Sequence, residues 1–327
     1  MPLTACTLTG VDEVTPLVEL AVVSDLYPYA EWGFLYLPEQ QGRPGRFPSV
    51  ERMRRAFREL PPYVQIALHV CGSGAAQLLD GEPVIGGLVE QIRGRRGRVQ
   101  LNVDVVGRPI DLARLRRFMQ AQPDLIFITP FNEANAGVLP ALAGLPNHSI
   151  LFDDSLGRGV LPASWRPAMK EVDCGYAGGL GPDSLDEQLP RIYAASGGAP
   201  FWIDMAGRLR DAYDRFSMHF VRQCLEIVDF QASERNDFPA RRPLRRRCEP
   251  IQLIDSGLLH SEAEADFETM LRRMIAATRN VIDPEVMEVR RQAEDLLLRR
   301  GSTGAAPAPL YPERALLAAQ RRPGALT

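Results

Sequence analysis

Eight short apolar runs alternate with eight amphipathic stretches over the first 230 residues, and few folds accept that rhythm. The runs are 4–9, 32–37, 64–70, 99–105, 125–129, 149–153, 174–177 and 201–205. The stretches between and after them, 12–26, 49–59, 75–93, 111–121, 134–143, 162–170, 183–195 and 216–229, carry helical spacing. Short apolar runs separated by helical patterns read as parallel strands joined by crossover helices. Eight such units with short connections close into a barrel. An open doubly wound sheet shows similar alternation, but no Gly-x-Gly-x-x-Gly follows the first run. The expected fold is therefore α/β, a (β/α)8 TIM barrel over residues 1–230 with a helical C-terminal extension.

Past Phe230 the character changes. Residues 231–260 read as a polar linker rich in Arg and Pro, with Pro239-Ala-Arg-Arg-Pro-Leu-Arg-Arg-Arg247 at its centre. A long helical pattern follows at 261–300, and the Gly, Ala and Pro-rich tail 301–327 is expected to be disordered. The helices at 261–300 are expected to pack on the barrel or to pair two copies as a homodimer.

Composition narrows the function classes. A net charge of -3 gives no general attraction to nucleic acid or to an anionic membrane, and the arginine run reads as a solvated linker. No apolar run approaches the length of a membrane span, and Met1-Pro-Leu-Thr-Ala-Cys6 lacks the features of a signal peptide. The five cysteines, Cys6, Cys71, Cys174, Cys224 and Cys248, are scattered without a CxxC pair. A disulfide framework or structural zinc is not expected, and a reducing cytoplasm is.

In a parallel barrel the chemistry gathers where the strands end. His69 and Cys71 close the run Ile66-Ala-Leu-His-Val-Cys-Gly72 and, two residues apart, share a face. They could transfer protons or supply a nucleophile; the structural alternative is a buried thiol beside a backbone-bonded histidine. Asp153 closes Ile150-Leu-Phe-Asp153 with Asp154 on the opposite face, so one of the two points into the mouth as a general acid. Its alternative is a hydrogen-bonded turn. Asp204 is the comparable residue on the last strand, read first as orienting the turn at Gly207.

Gly178, Gly179 and Gly181 precede Pro182-Asp-Ser184 in the order of turn glycines before a helix start. Backbone N–H groups there suit an anion. With Ala206 and Gly207 after the next run, they match the phosphate site that barrels build from loops seven and eight; alone they mean only a tight turn. Arg46, in the long second loop, could hold a substrate carboxylate through its planar fork, or sit unpaired at the surface. The expected ligand is a small phosphorylated molecule.

These positions together resemble phosphoribosylanthranilate isomerase, a ribulose-phosphate-binding barrel, over about residues 4–229. Gly33-Phe-Leu-Tyr and Gly45-Arg-Phe-Pro-Ser49 are similar to the family's second strand and loop, whose arginine, here Arg46, binds the anthranilate carboxylate. Val99-Gln-Leu-Asn102 resembles Val-Gln-Leu-His, with Asn102 in place of histidine as a substrate-binding position. Leu151-Phe-Asp153 followed by Gly157-Arg-Gly159 resembles the run carrying the general acid, which falls on Asp153. Ala177-Gly-Gly-Leu-Gly-Pro-Asp183 is similar to the phosphate loop, and Ile203-Asp204 with Gly207 to the eighth strand, without its two serines.

The family's first strand is Lys-Ile-Cys-Gly-Ile-Thr, with cysteine as base. Ala5-Cys6-Thr-Leu-Thr-Gly10 can be aligned to it, but the lysine and the glycine are missing. The resemblance implies an Amadori-type aldose-to-ketose rearrangement of a phosphorylated aminosugar, without metal or organic cofactor. Asp153 would be the acid and Cys6 or Cys71 the base. Two other readings stand beside it: a different reaction on a phosphorylated substrate using His69 and Cys71, and a ligand-binding or scaffold module without catalysis.

Overall fold

The computed structural model describes residues 3–93, 95, 97–102, 110–155 and 157–235. The expected segments 261–300 and 301–327, and the linker from residue 236 onward, lie outside the described residues. Eight parallel strands close a barrel in chain order: β1 (Leu3–Thr9), β2 (Ala30–Tyr36), β3 (Gln65–Val70), β4 (Arg98–Leu101), β5 (Ile126–Phe131), β6 (His148–Phe152), β7 (Asp173–Ala177) and β8 (Phe201–Met205). Each corresponds to one apolar run of the sequence. The first and last strands pair in parallel, with Cys6 level with Ile203 and Thr7 with Asp204.

Alternation along the strands explains both faces of the sheet. On β1, Cys6 and Leu8 join the cluster between sheet and helices, while Ala5 belongs to a separate inner cluster with Ile128, Leu151 and Trp202. The outer layer includes Trp32 and Phe34 of β2, Ile66 and Leu68 of β3, and Tyr176 of β7, all buried. Each such side chain contributes about 1.5–3 kcal/mol when withdrawn from water. This layer holds the barrel together, and the inner face is left freer to carry polar groups.

The outer shell comprises α1 (Leu17–Leu26), α2 (Val50–Glu59), α3 (Gly74–Asp80), α4 (Pro83–Ile92), α5 (Leu112–Gln120), α6 (Val138–Leu142), α7 (Leu185–Ser196) and α8 (Met218–Glu234). Side-chain caps start three of them: Ser49 accepts from the Arg52 N–H, Asp111 from Arg114, and Ser217 from Phe220. No described helix is long and apolar enough to cross a membrane.

Four helical expectations need correction. The stretch 75–93 is two helices, divided at Gly81-Glu82 where Pro83 opens the second. The stretch 12–26 becomes helical only at Leu17, after Pro16. No helix forms over 162–170, where Pro162 and Pro167 each remove a backbone donor. Instead Trp165 packs edge-on against Tyr176 at 5.9 Å and donates to Gln188 at 3.1 Å, so an irregular segment covers the outside of β7. Finally α8 runs to Glu234, which places the start of the expected linker inside a helix.

Candidate active site at the barrel mouth

The inward face of the barrel is polar in two tiers. In the lower one Arg98 of β4 donates from Nε to Glu31 of β2 at 2.8 Å and from Nη2 to Thr7 of β1 at 3.0 Å. Thr7 in turn donates to Glu31 at 2.9 Å, and the Arg98 guanidinium lies 4.6 Å from the centre of the Trp202 ring. A buried ion pair offsets its desolvation only when its hydrogen bonds are complete, and here a hydroxyl and a ring face supply the remainder.

Nearer the strand ends stand Thr9, His69 and Asp204, all buried. Thr9 Oγ1 donates to Asp204 Oδ1 at 2.7 Å and lies 3.4 Å from His69 Nε2. His69 Nδ1 is 4.0 Å from Asp204 Oδ2. These residues sit on β1, β3 and β8, and the strand between β1 and β3 contributes Gly33, whose absent side chain makes the arrangement possible. A Cβ there would overlap Thr9.

Burial pushes the Asp204 carboxyl up to about 7. The Thr9 hydrogen bond and Arg98 oppose the shift, while Glu31 and Asp153 add to it. His69 is driven the other way, down to about 4, again chiefly by burial, with Glu31 opposing and Arg98 adding. At neutral pH the pair is therefore a neutral imidazole beside a carboxyl near its own midpoint, a combination suited to exchanging protons.

The structure places Cys6 elsewhere. Its side chain is fully buried on the outward face, in the layer shared with Cys224 of α8, and burial raises its thiol well above the ordinary range. The expected base on the first strand is corrected accordingly: alternation turns Thr7 and Thr9 inward and Cys6 away from the mouth. Cys71 does reach the inner side, where Asn102 donates to its sulfur at 3.1 Å and Gln100 donates to Asn102 at 3.0 Å. Burial pushes the Cys71 thiol up to about 11, so little thiolate exists near neutrality.

Asp153 is engaged by its own turn. Ser155 donates to Oδ1 from its backbone N–H at 3.1 Å and from its hydroxyl at 2.6 Å, and Gly157 N–H donates to Oδ2 at 3.0 Å. Asp154 points outward to Arg166 at 2.8 Å. Arg46 lies 3.6 Å from Asp214, which also accepts from Arg210 at 2.6 Å. Arg210 reaches Asp12 at 3.3 Å and the Gly10 carbonyl at 2.9 Å. These contacts fasten the loops after β1, β2 and β8 together.

The expected phosphate loops are brought side by side, though not as an open cradle. Gly178 and Gly179 adopt φ of 116° and 66°, and a Cβ on Gly179 would stand 2.7 Å from Leu161 N and 3.1 Å from the Gly159 carbonyl. Their glycine character is accounted for by the close approach of the chain's own segment 159–161. Ala206 and Gly207 enter a 3-10 turn, Gly207–Leu209, whose Arg208 pairs with Asp183 at 2.5 Å across the two loops. Asp186 and Glu187 in the first turn of α7 oppose an anion at that helix start.

Sequence reasoning missed Thr9, Glu31, Arg98 and Arg208. The first three were signalled by polar residues alternating with apolar ones on β1, β2 and β4. Among the described residues, no three His, Cys, Asp or Glu side chains converge as metal ligands would.

No protein-family model and no curated protein matches the chain. Among solved structures it is similar to phosphoribosyl anthranilate isomerase from Thermotoga maritima, at 14% identity and a TM-score of 0.45, over 70% of this chain and 100% of that one. TrpF from Jonesia denitrificans aligns at 13% identity and a TM-score of 0.46, over 69% and 97%. Phosphoribosyl anthranilate isomerase from Thermus thermophilus aligns at 16% and 0.42, over 69% and 99%. At such identities and scores the likeness carries no argument about chemistry, which rests on the side chains at the mouth.

Proposed function

We propose that the protein is an acid–base enzyme of the isomerase type, acting at the C-terminal end of the barrel through His69 and Asp204. One observation carries the reading: the buried Asp204 carboxyl and His69 imidazole stand 4.0 Å apart at the strand ends, where barrel enzymes hold their reacting groups, and burial pushes the carboxyl up to about 7 and the imidazole down to about 4. The finer proposal is an aldose-to-ketose rearrangement of a phosphorylated aminosugar, with phosphoribosylanthranilate as first candidate. His69 would remove the C2 proton in place of a first-strand cysteine. Asp153 would protonate the ring oxygen, and Arg46 would hold the anionic group once released from Asp214. Arg208 and the Gly207 turn would receive the phosphate once Asp183 gives way.

A second reading has its own support. The closeness of segment 159–161 to Gly178 and Gly179 favours a substrate that is not gripped by phosphate at those glycines, handled by the same His69 and Asp204. Direct turnover of phosphoribosylanthranilate by the full chain, followed by fluorescence, separates the two. The proposal expects turnover that falls at least about 100-fold in His69→Asn and in Asp153→Ala, the scale of a lost general acid or base. Absence of turnover in the unsubstituted protein rejects the rearrangement. Turnover unaffected by His69→Asn rejects the residue assignment.

A further inference from the structure

We infer that Thr9 is a two-way proton relay that ties the protonation of Asp204 to the tautomer of His69; the inference builds on the acid–base reading of the mouth. A hydroxyl has one proton to donate and lone pairs to accept with. Thr9 Oγ1 is 2.7 Å from Asp204 Oδ1 and 3.4 Å from His69 Nε2, the second distance near the outer limit of hydrogen bonding, as is common before a substrate tightens a site. Thr9 therefore has two self-consistent arrangements.

With Asp204 ionised, the Thr9 proton points to the carboxylate, and the oxygen accepts from His69 Nε2–H. The imidazole then carries no proton on Nδ1, whose lone pair, 4.0 Å from Asp204 Oδ2, is the basic site. With Asp204 protonated, its O–H donates to Thr9, the Thr9 proton turns to Nε2, and the histidine proton sits on Nδ1. The same residue is a base in one arrangement and an acid in the other.

The step between them balances. A carbon acid gives its proton to His69 Nδ1 and keeps the electron pair as a carbanion or enol equivalent. The Nε2 proton passes to Thr9 Oγ1, and the Thr9 proton passes to Asp204 Oδ1. The negative charge leaves Asp204 and appears on the substrate, and the imidazole never ends the step as a cation. The surroundings suit this outcome. A buried imidazolium is disfavoured here, because burial drives the His69 midpoint down to about 4, whereas the carboxyl accepts a proton readily near neutrality. The charged groups facing the pair are Glu31 on β2, Arg98 on β4 and Asp153 beyond β6. Glu31 and Arg98 are already paired with each other.

Gly33 makes the relay geometrically possible. A Cβ on it would fall on the Thr9 side chain, so a glycine at this point of β2 lets the hydroxyl span from β1 toward β3. Thr9 is thus a positioning residue, acting on any substrate only through its two partners.

The test is imidazole 15N NMR on the full chain. It contains four histidines, and His69 is assigned by comparison with His69→Asn. The 13C signal of the Asp204 carboxyl is followed in parallel. The expected result is that the Nδ1 and Nε2 shifts of His69 exchange between neutral tautomers at the pH where Asp204 titrates. Thr9→Ser should preserve that coupling, and Thr9→Val, of nearly the same shape, should abolish it while both variants keep the unsubstituted protein's circular dichroism. A His69 tautomer that ignores Asp204, or coupling intact in Thr9→Val, would overturn the relay. Should Thr9→Val fail to fold, Thr9→Ala takes its place: coupling lost there and kept in Thr9→Ser supports the relay, and coupling intact in Thr9→Ala, carried directly over the 4.0 Å between His69 and Asp204, overturns it. Coupling without turnover of phosphoribosylanthranilate would keep the relay and remove the proposed reaction; turnover without coupling would do the reverse.

Discussion

A carboxyl group withdrawn from water holds its proton to higher pH, and at Asp204 this has consequences for stability as well as chemistry. The group titrates near 7 in the folded chain and near its ordinary value of about 3.9 when unfolded. Between these pH values the folded state binds the additional proton, so the contribution of Asp204 to stability, fully present below about 4, is lost as pH rises to about 7. His69 and His148, both lowered to about 4, have the opposite sign: their contribution grows as pH rises from about 4 to 6.5. Asp204→Asn removes the first of these trends and keeps the others. The variant should therefore gain stability relative to the unsubstituted protein from pH 4 to 7, by an amount on the order of a few kcal/mol. Urea unfolding across that range checks this, and a difference independent of pH would contradict the burial argument. Residues of this kind were partly legible in the sequence. His69, Asp153 and Asp204 are visible as candidates because they end strands. The resemblance points to Cys6 on the first strand, although alternation along β1 turns that cysteine outward and Thr9 inward.

At the scale of elements, the strands support the mouth through the tier beneath it. Arg98 on β4, Glu31 on β2 and Thr7 on β1 join three strands inside the barrel. Deleting one partner of a buried pair leaves the other charged and unmatched, at a cost of about 3–5 kcal/mol. Arg98→Ala should lose that much in chemical denaturation and leave Glu31 uncompensated below Asp204. A loss under about 1 kcal/mol would show that the tier bears little of the fold's stability. The strands were readable because a short apolar run between turns has few other fates. Helices were less so. Pro83 divides 75–93, and Pro162 and Pro167 leave 162–170 irregular, where aromatic packing of Trp165 on Tyr176 does the covering. Spacing alone suggested a helix in both places, and the prolines were the signal to weigh against it.

Across the molecule, closure of the barrel brings β1 beside β8 and so sets Thr9 against Asp204, 195 positions apart in the chain. The architecture was legible from the eightfold alternation. That two expected functional features, Arg46 and the glycine loop, also make structural contacts is not legible there, because it depends on contacts across the mouth. Arg46 meets Asp214, and the glycines at 178 and 179 meet segment 159–161. Both leave the paired imidazole and carboxyl as the feature of the mouth with the clearest chemical purpose. A carboxyl that exchanges its proton near neutrality shows this in the 13C titration of Asp204 in the whole 327-residue chain, assigned by Asp204→Asn. The expected midpoint is near 7; a midpoint near 4 would mean an ordinary carboxylate and no proton exchange at the mouth near neutrality.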